Sequence, residues 1–70
     1  MSISLLACEK IAKRAGIKRI SRDALEELRE ILEEYAMEIA ITAQKIASHA
    51  ERNTIKEKDI DLALEIKGWK

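Results

Sequence analysis

The middle of the chain is one unbroken amphipathic run. Between positions 24 and 50, apolar residues return every three or four places along Ala24, Leu28, Ile31, Tyr35, Ile39, Ala43, Ile46 and Ala50, and Leu32, Ala36, Ala40 and Ala47 widen the stripe. That spacing is the period of an α-helix, and the chain has no proline to interrupt it. Ser21 suits the N-cap and Asp23 the first turn. The helix then runs to about residue 50, roughly 40 Å at 1.5 Å per residue. So long a stripe cannot be buried by the little chain that remains, which points to a symmetric partner crossing it.

The flanks are short. A first helix is expected over residues 3–15, with Leu5, Cys8, Ala12 and Ala15 on one stripe, Ile11 beside it, and Gly16 at the left-handed C-terminal position. A third helix is expected to begin at Thr54, where "TIKE" reads as a capping box of Thr54 and Glu57. Ile55, Ile60, Leu62, Ala63, Leu64 and Ile66 supply its apolar residues, and Gly68 is a stop signal. The fold class is all-α: short helix, long helix, short helix, in one domain over residues 1–70.

Seventy residues give a small core, and domains of this size lean on disulfides, metals or oligomerisation. The single cysteine, Cys8, rules out an intrachain disulfide. His49 is the only histidine and no Cys or His pair has ligand spacing, so no metal or cofactor is expected. Oligomerisation remains. No apolar run approaches a membrane span, the start "MSISLLACEK" lacks the basic region of a signal peptide, and an unpaired cysteine suits a reducing compartment. The expectation is a cytoplasmic protein without a membrane role. No nucleophile–base pair or metal constellation exists, which argues against an enzyme.

A net charge of zero hides a strong segregation. Residues 1–22 carry six basic side chains against Glu9, a balance of +5, and residues 23–38 carry seven acids against Arg29, a balance of −6. Lys45 adds +1, and the last twenty residues balance at five against five. A basic end beside an acidic middle is compatible with a nucleic-acid partner, and equally with a solvated surface of mixed charge.

The segments "AGIKRIS", "DALEEL", "ILEE" and "HAERNTIKEKDIDLAL", in this order and spacing, make the whole chain resemble a small tailless archaeal histone. The resemblance implies the histone fold as an interlocked head-to-tail dimer, in which the first loop of one chain lies beside the second loop of the other as a DNA-contacting edge. Arg19 matches the first-loop arginine that enters the minor groove, and Thr54 the second-loop threonine that steadies it from the partner. Arg52 and Asp59 match a pair that clamps the second loop onto the third helix. The candidate DNA contacts are Lys10, Lys13, Arg14, Lys18, Arg19, Arg52, Asn53, Thr54 and Lys56. Ile46, His49, Asp59 and Leu62 match the family's contact between dimers. The implied role is general binding to double-stranded DNA that packages, bends or bridges the chromosome, with the protein located in the nucleoid.

The chemistry agrees with that role. A weakly hydrated guanidinium suits the negative potential of a narrow minor groove, while lysines and helix N-termini neutralise phosphates without reading sequence.

Three departures from the family stand out. The chain is neutral where DNA-wrapping members are basic, and Asn53 stands where a lysine often precedes the threonine. The start "MSISLLAC" replaces a proline-containing one. Met37 and Ile41 lie one turn apart on a face otherwise made of Glu30, Glu34, Gln44 and Ser48, which marks a further contact between dimers. The rival reading is a histone-fold module that contacts proteins more than DNA, paired with itself or with another histone-fold chain. Assembly size, wrapping against bridging, and the parts played by Cys8 and Trp69 are left open.

Overall fold

The computed structural model of the chain describes residues 3–68 and contains, in order, α1 (Leu5–Arg14), α2 (Arg22–His49) and α3 (Glu57–Ile66). No strand occurs among the described residues. None of their helices is long and apolar enough to cross a membrane. Their contacts fall into two compact units that divide between Glu34 and Tyr35, partway along α2.

In the first unit, Ser4 adopts an extended backbone and its hydroxyl accepts the Ala7 N–H at 3.0 Å, which caps the start of α1. Cys8 and Ala12, one turn apart, are buried, as is Leu25 on α2. Cys8 is fully enclosed and acts as a small apolar packing group. Ser21 caps α2 by accepting the Ala24 N–H at 3.1 Å. Arg22–Glu26 and Arg29–Glu33 pairs, at 3.1 and 3.8 Å, brace the first turns of α2 from its surface.

The second unit packs the later part of α2 against α3. Ile39, Ala43 and Ala63 form its buried centre, with Tyr35, Ile46, Ile60 and Leu64 packed around them. Alanine at two of the three central positions brings the helix backbones close together.

Two local expectations are corrected. The stripe of α2 is not evenly buried: Ala24, Ile31 and Ala50 are exposed, while Leu25, absent from the expected stripe, is buried. The apolar band is wider than a single chain covers, so one of its edges meets protein and the other meets solvent. The third helix begins at Glu57 rather than Thr54, and Ile55 lies in the preceding loop. The expected Thr54–Glu57 box does not form. The Lys56 N–H instead donates to Asp59 Oδ2 at 2.8 Å. A charged acceptor one turn into the helix is a stronger partner for that amide than a hydroxyl.

Candidate nucleic-acid interface

Each helix ends in a left-handed residue: Gly16 at φ 90°, Glu51 at φ 57° and Gly68 at φ 84°. At the end of α1 the Gly16 N–H donates to the Lys13 carbonyl and the Ile17 N–H to the Ala12 carbonyl, both at 3.0 Å. This paired reverse closure turns the chain sharply and sets the first loop. Lys18 and Arg19 follow it fully exposed, and Ile20 leans inward before Ser21 opens α2. Lys13, Lys18 and Arg19 line a shallow recess with Ile17 and Glu9. Lys13 also lies 3.5 Å from Glu9, a solvent-exposed pair of little energetic weight. Lys10 and Arg14 are exposed on the same short helix. The structure therefore places the five basic candidates of the first unit at the surface of α1 and the loop that follows it.

The second loop is built by the same closure around a different residue. The Glu51 N–H donates to the Ser48 carbonyl and the Arg52 N–H to the Ala47 carbonyl, both at 2.9 Å. That fixes the backbone of Arg52 just past the helix. Its guanidinium then donates through Nη1 to Asp59 Oδ2 at 2.9 Å and through Nη2 to Asp59 Oδ1 at 2.8 Å, a two-pronged pair that ties the loop to the first turn of α3. Nη1 also reaches the Thr54 carbonyl at 3.0 Å, so the loop is held at its middle as well as at its end.

Asp59 is only 1% exposed and accepts three hydrogen bonds. The Arg52 guanidinium, then the Lys56 amide, hold its carboxyl well below the usual carboxylate range, against the opposing pull of burial. The same pairing raises Arg52, which is charged at any ordinary pH. Asn53, Thr54 and Lys56 project from this braced loop into solvent. A rigid loop with exposed polar tips can meet a partner without first being ordered.

Among the residues expected at a contact between dimers, His49 and Leu62 are exposed, Ile46 is half-buried in the second unit's core, and Asp59 is engaged as described. Met37 and Ile41 are 61% and 45% exposed. Helical geometry puts both on the side of α2 opposite Ile39 and Ala43. No group of three or more His, Cys, Asp or Glu side chains is gathered as a metal site among the described residues. Sequence reasoning missed the left-handed Glu51, because nothing in the residue type signals that conformation. Trp69 lies outside the described residues.

The profile of the family described as histone-like transcription factor (CBF/NF-Y) and archaeal histone matches residues 3–64. The chain is 43% identical over 56 residues to the archaeal histone HAN1 of Thermococcus zilligii, covering 80% of this chain and 84% of that one. It is 44% identical over 57 residues to probable archaeal histone 3 of Methanocaldococcus jannaschii, covering 81% and 85%. Histone H4 of Encephalitozoon cuniculi is 36% identical over 69 residues, which is 99% of this chain and 67% of that protein.

Proposed function

The chain belongs to the family of histone-like transcription factors and archaeal histones, and from that premise we propose that it is an archaeal-type histone that binds double-stranded DNA without sequence preference and packages, bends or bridges it in the nucleoid. Residues 1–70 act as a single histone-fold domain that pairs head to tail with a second copy. In that dimer the exposed Lys18 and Arg19 of one chain stand beside Asn53, Thr54 and Lys56 of the other, and each end of the dimer carries one such edge. Lys10, Lys13 and Arg14 extend the edge to neighbouring phosphates. The protein carries out no catalysis.

The observation that supports this reading best is the second loop. Arg52 spends its guanidinium on Asp59 and the Thr54 carbonyl, so its part is to hold the loop in shape, and Arg19 is the arginine offered to DNA. Arg19 is exposed and lines a recess rather than an ion pair. An arginine presented in that way is suited to enter a minor groove.

Binding of the pure protein to random-sequence duplex across a salt series tests the reading. A log–log slope of about −4 to −7 corresponds to about five to eight phosphates neutralised per binding unit. Arg19→Ala should weaken binding to all sequences alike and reduce the slope by about one for each edge. Negligible binding at low salt would instead favour the protein-interaction reading. The neutral net charge and the exposed Met37–Ile41 pair support that second reading, with a second histone-fold dimer as the partner.

A further inference from the structure

Glu51 occupies a position that its residue type does not suit. Its φ of 57° lies in the left-handed region, where a Cβ is disfavoured and glycine is the usual occupant. It also stands directly after the last turn of α2, where unpaired carbonyls leave partial negative charge and a carboxylate is repelled. Two independent local rules therefore disfavour a glutamate here. The other two left-handed helix ends are both glycine. Residues that violate local preference without a local gain are concentrated where function demands them.

The charge around it explains what that demand is. Between positions 51 and 56 the chain carries Glu51, Arg52 and Lys56. The charge of Arg52 is taken up by the two-pronged bond to the carboxylate of Asp59. Glu57 and Lys58, which follow, offset one another. What remains at the loop is Lys56 against Glu51, and the exposed carboxylate cancels the exposed ammonium. We propose that Glu51 is a built-in restraint on DNA affinity: it removes the net positive charge of the second loop, so that a rigid, correctly shaped edge attracts the phosphate backbone only weakly. This rests on the DNA-binding reading above and deepens it. Affinity is then carried by Lys18 and Arg19 of the first loop, and the second loop contributes shape. The backbone strain is the cost of placing a carboxylate at that point.

The test compares wild type, Glu51→Gln and Glu51→Gly in binding to one random-sequence duplex from low to high salt, with thermal unfolding of each. Gln removes the charge and keeps the left-handed Cβ; Gly removes both. Glu51→Gln should tighten binding at low salt by about threefold to tenfold, with the gain shrinking as salt screens it. Glu51→Gly should tighten it at least as much and should also unfold at a higher temperature. Wild-type binding with no change in Glu51→Gln overturns the restraint and leaves the DNA reading intact. A gain in Glu51→Gly alone assigns the effect to backbone strain and overturns it too. A gain that persists undiminished at high salt is not electrostatic and has the same consequence. Absence of binding in all three proteins overturns the DNA reading and the restraint together.

Discussion

Asp59 has three donors and almost no water, which makes its charge part of the fold. Its carboxyl is depressed by Arg52 first and the Lys56 amide second. A depressed acid contributes stability that is fully present above its unfolded value, near 3.9, and that fades as pH falls below about 4 toward the folded value. The thermal midpoint should therefore drop steeply from about pH 5 down to about pH 2. In Asp59→Asn the midpoint should be lower at neutral pH and the acid decline shallower. Parallel acid declines in the two proteins would show that some other carboxylate governs the limb. Arg52→Lys should fall between wild type and Arg52→Ala in thermal unfolding, because an ammonium is a single point charge and cannot span both carboxylate oxygens and the Thr54 carbonyl.

Helix ends and helix faces are where element-scale predictions lie. Ser21→Ala leaves the Ala24 amide without its acceptor and should lower stability by about 1 kcal/mol, as loss of an N-cap does elsewhere. Met37 and Ile41 face away from the packed side of α2. In a two-fold, antiparallel contact between dimers they would cover their own counterparts, with Glu38 and Lys45 on one flank able to pair across it. Replacing both by Glu should leave the dimer intact and lower any larger assembly measured by sedimentation; an unchanged assembly would remove that face from consideration. The elements themselves are readable from the 3.6-residue period, from Ser21 as a cap and from Gly16. The start of α3 is not, because "TIKE" satisfies a cap pattern that an aspartate three residues into the helix supersedes. Arg52 and Asp59 are seven residues apart, on different elements, and periodicity carries no trace of their bond; only the family pattern points to it. The conformation of Glu51 leaves no sign, since it arises from how α2 terminates and not from the residue that terminates it.

At the scale of the whole molecule the remaining issue is the apolar surface that one chain leaves open. Nine large apolar side chains, among them Leu6, Ile11, Ile31, Leu62 and Ile66, are 41–61% exposed among the described residues, while the buried core consists largely of alanine and cysteine. Burying an isoleucine or leucine fully is worth about 1.5–3 kcal/mol, so covering even some of these in a symmetric pair outweighs what the single chain's small core supplies. Folding and pairing should then be one equilibrium, and the thermal midpoint should rise with protein concentration as mass action requires. Ile31, 53% exposed on the stripe of α2, belongs to the surface that pairing would cover. Ile31→Glu would carry a charge into that surface twice per dimer, and it should lower the midpoint strongly while Met37→Glu does not. A midpoint independent of concentration, with wild type sedimenting as a monomer, would mean that the long helix is stable with its stripe half open, and the paired edges proposed for DNA would have no means of forming.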